Sequence, residues 1–223
     1  MTPFDSVVSQ LALAMGASWC AGLNLYATVA VLGLMVHFVP GFQLPPDLMV
    51  LASPWVILPA LFMYVVEFVA DKVPAVDTLW DTIHTFIRVP AGAALAAAAL
   101  GSVPPEVQVG AAIVGGTLAL GSHTTKATAR AAAHTTGTSP LVSPAASVVE
   151  DGLVIGTMAL FATSPLLALG LTLLMVMGAV VLMWLLWSLV RKVFKVLTGR
   201  NGEAKPVGVA PSPAGQVSAS AEA

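Results

Sequence analysis

Six apolar segments alternate with short polar or proline-rich connections along this chain. They cover approximately residues 7–38, 54–70, 79–103, 107–134, 143–164 and 165–197. An α-helix that crosses the apolar part of a bilayer needs roughly 20 residues, and each segment comes close to that length or exceeds it. The pattern therefore predicts an all-α, polytopic membrane helix bundle of about six spans.

Glycine and proline positions predict where these helices begin, break or bend. The first segment is too long for one perpendicular span, and we expect Gly16 and Gly22 to divide it. Pro59 and Pro90 lie inside the second and third segments, where the missing backbone donor kinks or breaks a helix. Ser143, which is followed by a proline, predicts the N-cap of the fifth helix.

The composition agrees with this pattern and excludes other classes of protein. Hydrophobic residues make up 57% of the 223 residues and charged residues only 9%, and the mean hydropathy is +0.91. Such a chain cannot build a soluble core with a solvated surface. Cys20 is the only cysteine, which excludes an intrachain disulfide and a cysteine metal cage. Nothing indicates nucleic-acid binding, and the N-terminus lacks the basic start of a secretory signal, so we expect it to be retained.

The basic residues predict how the chain is oriented. Residues 1–198 form one predicted transmembrane domain, and residues 199–223, rich in Gly, Pro, Ser and Ala, form a predicted disordered tail. Arg191 and Lys192 end the sixth helix and Lys72 follows the second, whereas the outer connections contain no Lys or Arg. Because Lys and Arg favour the cytoplasmic side, we expect a multi-pass protein of the cell inner membrane with both termini and the tail in the cytoplasm.

Polar residues interrupt five of the six segments at a similar depth. Counted inward from the outer end of each helix, the first strongly polar residues are Asn24, Glu67, Arg88, His123 and Asp151. At 1.5 Å per residue they lie roughly 20–24 Å from the outer face, in the cytoplasmic half of a hydrocarbon core about 30 Å thick. Five helices are therefore predicted to contribute to one polar layer.

Helical spacing places further charged residues on the same faces. The fourth helix carries His123, Lys126, Arg130 and His134 at i, i+3, i+7 and i+11, and the third carries Asp77, Asp81, His84 and Arg88 at i, i+4, i+7 and i+11. The two helices are antiparallel, so we expect Asp81 to pair with Arg130. We also expect Arg88 to lie near Glu67 or Glu150.

The polar layer supplies the candidate residues for binding a solute or an ion. They are Asn24, Glu67, Asp71, Asp81, His84, Arg88, His123, Lys126, Arg130, Glu150 and Asp151. Two interpretations stay open. Buried ion pairs alone could lock the bundle together. Ionised groups inside a bilayer are costly, by about 2.5–3.5 kcal/mol each, and so many in one layer are more typical of a pathway or binding site.

Several motifs resemble those of a known family. They are Gly22-x-Asn24-x-Tyr26, Glu67-x-x-x-Asp71-Lys72, Trp80-Asp81 with His84, Lys126-x-x-x-Arg130, and Ser147-x-x-Glu150-Asp151. Together they are similar to the pattern of small bacterial membrane proteins grouped as domain of unknown function 4126, over roughly residues 16–165. The resemblance implies a multi-pass inner-membrane protein and favours the polar layer as its site. It implies no activity.

Three functions fit these features. The first is a transporter or channel, expected to be a homo-oligomer, whose carboxylates carry a proton or cation and whose basic residues receive an anionic or polar solute. The second is a membrane scaffold or complex subunit that binds partners through the small-residue faces of the third and fifth helices. The third is an intramembrane metalloenzyme, because Asp81 and His84 have the spacing of a carboxylate-histidine metal pair, although a second such pair is missing. The expected partners are the lipid bilayer and a small ion or polar solute, with no cofactor.

Overall fold

The computed structural model describes residues 7–101, 103–135 and 137–199, and their regular structure is helical. The helices are α1 (Val7–Phe38), a short 3-10 helix (Pro46–Ala52), α2 (Pro54–Ala70), α3 (Pro74–Ala99), α4 (Pro105–Thr135), α5 (Ser139–Thr163) and α6 (Pro165–Gly199). This arrangement confirms the predicted all-α class. Residues 200–223, which include most of the predicted tail, lie outside the described part, as do the side chains of Asp77 and His134.

Three helical stretches among the described residues are long and apolar enough to cross a bilayer: Val7–Phe38, Pro144–Thr163 and Pro165–Lys192. A fourth span results if the 3-10 helix and α2, which are bent by 63° relative to each other, are counted as one. These stretches make the protein a polytopic membrane protein. The charged stripes lower the hydropathy of α3 and α4, which do not meet the same criterion, so the count of six spans stays a prediction.

The described residues up to Met183 form one compact unit, and those from Trp184 to Gly199 belong to a second. Within the first unit α1 is the central element, because it packs against α2, α3, α4 and α5. Small residues allow this close packing. A Cβ atom at Gly22 would lie 1.9 Å from the Ser122 hydroxyl and 2.2 Å from the Ala119 carbonyl oxygen of α4. Gly22 is therefore a close packing contact between α1 and α4.

The helix divides elsewhere, at Asn24, which corrects the predicted division at Gly16 and Gly22. Asn24 has φ −147° and ψ 99°, outside the helical region. Its side-chain oxygen accepts a hydrogen bond of 2.9 Å from the Ala27 backbone N–H, as an N-cap does. Asparagine can end one helical stretch and cap the next because its short amide replaces a lost backbone hydrogen bond. Gly16 instead lies against Phe161.

The α3–α4 pair is packed equally closely along its apolar half. A Cβ atom at Gly92 would lie 2.4 Å from the Ala119 Cβ, and one at Gly115 would lie 2.6 Å from the Gly92 carbonyl oxygen. The Ser18 hydroxyl of α1 donates a hydrogen bond of 2.8 Å to that same carbonyl. These contacts fix the positions of α1, α3 and α4 relative to one another, and with them the charged stripes further along α3 and α4.

Two predicted helix starts are wrong by about one turn. α5 begins at Ser139, and Pro144 lies inside it, so Ser143 is not its N-cap. The sequence contains an earlier Ser-Pro pair at this point, and the first of the two starts the helix. α3 begins at Pro74 where the apolar pattern predicted a start near Leu79. Pro59 and Pro90 lie inside α2 and α3, and neither proline breaks its helix, because each helix continues on both sides of it.

Candidate functional site

The predicted polar layer is present as a buried cluster around the break in α1. All candidate residues belong to it, and each is less than one tenth exposed except Glu150, whose side chain is 14% exposed. Glu67 and Arg88 are fully buried. Such groups require partners, because an ionised side chain without one is strongly destabilising in an apolar interior. The contacts of this cluster are therefore specific.

Six side chains form a chain of alternating charge, hereafter the charge chain. In order they are Arg88, Glu67, Lys126, Glu150, Arg130 and Asp71. The Lys126 ammonium lies 3.2 Å from Glu67 and 3.2 Å from Glu150, and Arg130 lies 3.0 Å from Glu150. Arg88 donates a short hydrogen bond to Glu67, which confirms the predicted contact. Elements α2, α3, α4 and α5 are joined through this chain.

Arg130 binds Asp71 with two parallel hydrogen bonds of 2.7 and 2.8 Å, the geometry in which a guanidinium holds a carboxylate most tightly. The Ser147 hydroxyl donates a further one of 2.9 Å. Burial opposes ionisation of Asp71, but the hydrogen bond from Arg130 and the charges of Lys126 and Arg130 outweigh it and hold the pKa of Asp71 well below its ordinary value.

The predicted pairing of Asp81 with Arg130 is wrong. Asp81 lies 3.8 Å from Arg88, a residue of its own helix two turns further on. Asp71, which caps the end of α2, takes the place beside Arg130. The prediction considered only the two stripes on α3 and α4, whereas the end of α2 also reaches this level of the bundle.

Two cations of the charge chain also bind backbone carbonyls at the break in α1. A helix end leaves backbone carbonyls without intrahelical partners, and positively charged groups near them are favourable. Arg88 donates a hydrogen bond of 3.1 Å to the Gly22 carbonyl, and Lys126 donates one of 3.0 Å to the Leu23 carbonyl. The broken helix and the charge chain are therefore parts of a single site.

Asp151 is held by neutral donors. The Asn24 amide donates to one of its oxygens at 3.0 Å and the Tyr64 hydroxyl to the other at 2.8 Å. Among the described residues no ion pair within 4.0 Å includes Asp151. It is the carboxylate of the layer whose charge is least compensated by direct contact.

Sequence reasoning missed neutral contributors, among them Tyr64 and Ser147. Tyr64 precedes Glu67 by three residues, so both lie on one face of α2, and this spacing could have identified it. Ser147 belongs to the same motif as Glu150 and Asp151, three residues before Glu150 on α5. Neutral hydroxyls give no charge signal, and serine and tyrosine are frequent in membrane helices for other reasons.

Both histidines of the layer take part in hydrogen bonds through both ring nitrogens. His123 accepts a hydrogen bond of 3.0 Å from Arg88 at Nδ1, so its proton lies on Nε2, facing the Thr85 hydroxyl at 2.7 Å. His84 donates from Nδ1 to the Trp80 carbonyl at 2.8 Å, and Nε2 faces the Tyr26 hydroxyl at 2.9 Å. No group of three or more His, Cys, Asp or Glu side chains among the described residues is arranged to hold a metal ion.

The described layer contains more carboxylates than cations. The carboxylates are Glu67, Asp71, Asp81, Glu150 and Asp151, and the cations are Arg88, Lys126 and Arg130. A cluster built only to lock helices together would be expected to balance its charges, because an uncompensated buried charge is destabilising. The described layer therefore holds two more carboxylates than cations, a difference that uptake of a proton or another cation would balance.

Comparison with known proteins identifies the family of the chain. A model of the family described as Domain of unknown function (DUF4126) matches residues 11–188. This is more than half of the 223 residues, and the chain belongs to this family, which confirms the resemblance of its motifs. No curated protein and no solved structure matches the chain.

Proposed function

We propose that this member of the DUF4126 family is a small transporter or channel of the bacterial inner membrane that moves a small ion or polar solute through its polar layer. The observation that supports this most is the surplus of carboxylates in a buried layer built around a broken helix. A proton or another small cation is the species that this surplus favours.

The cost of the layer supports a pathway over a purely structural lock. Every ionised group in a membrane segment is unfavourable, and apolar side chains of similar size would pack the bundle at lower cost. Asp151 is the informative residue, because its neutral partners Asn24 and Tyr64 leave its charge without a direct counterion. A carboxylate in this environment can take up and release a proton or a cation.

The discontinuity of α1 also supports transport. In membrane transporters, helices broken inside the bilayer present unpaired backbone groups to ions and substrates. Irregular backbone is tolerated at that depth only where it is buried in protein or lines a cavity. Asn24 breaks α1 beside Asp151, and the carbonyls of Gly22 and Leu23 face the cations of α3 and α4.

The orientation and assembly belong to the same proposal. The positive residues Lys72, Arg191 and Lys192 favour cytoplasmic termini in a six-span protein. In a six-span protein α3 and α4 also cross the membrane. Their charged residues lower their hydropathy, but the ion pairs of the charge chain compensate these charges. A homo-oligomer covers part of the large apolar side chains that the described chain leaves exposed.

Flux in liposomes tests the proposal. Purified protein is reconstituted, and proton and alkali-cation flux is measured for the unmodified protein and for Asp151→Asn, with Asp47→Asn as the matched control. Asp47 is an exposed carboxylate in the 3-10 helix, so its replacement changes the charge equally outside the layer. We expect flux that Asp151→Asn abolishes and Asp47→Asn retains, with both variants folded. Flux no higher than in empty liposomes from stable protein would contradict the proposal.

One observation favours the scaffold as the second candidate function. Gly152 and Gly156 lie on an exposed face of α5, and a Cβ atom at either would meet no other atom within 4 Å. The spacing is that of helix-packing pairs in membranes, and the partner is not within the described chain. Gly156→Leu is expected to shift a scaffold to a smaller assembly in detergent. That shift, together with no flux from either the unmodified protein or the variant, would support the scaffold over the transporter.

A further inference from the structure

The end of α6 carries tryptophans and basic residues on one side of the helix, hereafter the basic face. Its residues at i, i+3, i+7 and i+11 are Trp184, Trp187, Arg191 and Lys195, and this spacing places all four on one side. The Arg191 guanidinium lies 5.9 Å from the centre of the Trp187 ring, in agreement with the spacing. Lys192 lies about 100° further round the helix than Arg191, at the edge of the basic face.

The cations of the basic face have no acidic partner. The whole of α6 contains no Asp or Glu. Among the described residues no carboxylate oxygen lies within 4.0 Å of Arg191, Lys192 or Lys195. All three side chains are exposed, whereas the cations of the polar layer are buried and paired. Their positive charge is therefore available to a partner outside the chain.

The tryptophans indicate where that partner lies. Trp184 and Trp187 are 62% and 61% exposed. Exposed tryptophan is favoured at the boundary of a bilayer, where the ring contacts hydrocarbon and the N–H contacts headgroups. Both residues belong to the apolar stretch Pro165–Lys192, whose 28 residues exceed the roughly 20 that cross the hydrocarbon. The basic end of this stretch therefore reaches the headgroup layer.

We propose that the basic face binds the phosphate headgroups of anionic phospholipids in the surrounding bilayer. Phosphate oxygens accept charge-assisted hydrogen bonds from guanidinium and ammonium groups, and each basic residue at an anionic surface adds to the attraction. The tryptophan rings pack against the acyl chains of the same lipids. Tryptophans beside the cations, at the end of a membrane span, favour a lipid over an acidic soluble protein. The inference is independent of the polar layer and of the proposed function.

Quenching of tryptophan fluorescence tests this preference. The protein is reconstituted in bilayers of phosphatidylcholine and phosphatidylglycerol in equal amounts, and either one lipid or the other carries brominated acyl chains. Bromine quenches a tryptophan that lies next to it, and Trp184 and Trp187 belong to the basic face. We expect stronger quenching when the anionic lipid is brominated, which corresponds to a relative affinity about tenfold higher. High salt should remove the difference, because it screens exposed charges.

Charge-removing variants locate the site. Combined replacement of Arg191, Lys192 and Lys195 by Gln should make the two lipids quench equally, and Arg191→Gln alone should remove part of the difference. Lys72→Gln is the matched single control, since this exposed lysine binds the Phe68 carbonyl and lies outside the basic face. The replaced side chains are exposed, so the fold should be retained. The tryptophans are unchanged, so the quenching values are directly comparable.

Equal quenching by the two lipids at low salt in the unmodified protein would overturn the inference. A preference for the anionic lipid that survives the combined replacement would also overturn it, because the lipid would then gather at another part of the surface. The readout requires no transported species. A positive result without flux in liposomes would therefore retain the lipid site and reject the proposed function, and flux without lipid preference would do the reverse.

Discussion

The two halves of the α3–α4 pair are held together by opposite means. In one half Gly92 and Gly115 bring the backbones so close that a methyl group would not fit. In the other half Arg88 and Lys126 reach across to carboxylates of other helices. The glycine contacts involve no charged side chains, but they fix the distance and the rotation of the two helices relative to each other. Long ionised side chains can pair specifically only when that geometry is already fixed.

The largest effect is expected in the charged half. Arg88→Met leaves Glu67 buried without its strongest partner, and breaking a buried ion pair on one side costs about 3–5 kcal/mol. Thermal unfolding in detergent measures the loss. Lys72→Met, in which an exposed lysine is replaced, should stay within about 0.5 kcal/mol of the unmodified protein. Similar effects of the two substitutions would mean that the charged half contributes little to stability.

A smaller loss is expected in the close-packed half. Gly115→Val places new atoms against the Gly92 carbonyl and the Ala96 Cβ, and overpacking of this kind costs about 1–3 kcal/mol. The same substitution at Gly110, where a Cβ atom meets nothing within 4 Å, provides the control on the same helix. If both variants unfold at the same temperature, the close approach of α3 and α4 is not a source of stability.

The smallest effect concerns acid. Because the folded-state pKa of Asp71 lies below its ordinary value, ionised Asp71 stabilises the protein at neutral pH, and this contribution is lost as the pH falls below about 4. The unmodified protein should therefore lose stability in that range more steeply than Asp71→Asn. Asp47→Asn should lose stability at acidic pH as steeply as the unmodified protein does. An identical acid profile for Asp71→Asn would show that the Asp71–Arg130 pair does not contribute.

The candidate site was predicted largely from local patterns. Residues at helical spacing on α3 and α4 must share a face whatever the rest of the chain does, so Arg88, His123, Lys126 and Arg130 were identifiable as one set. Their cost in a membrane explains why they are buried together. The contact of Arg88 with Glu67 followed from this reasoning. Tyr64 and Ser147 did not, because neutral hydroxyls have no charge that demands a partner.

The all-α class, the extent of most helices and the membership of the polar layer follow from the amino-acid sequence, because apolar length and helical period are local properties. The pairing of the charged residues depends on how the helices pack. Arg130 meets Asp71 and not Asp81 because close glycine contacts set the register between helices, and register is not encoded in any one of them. The break at Asn24 was decided in the same way. It persists because Arg88, Lys126 and Asp151, from three other helices, bind the groups that it exposes.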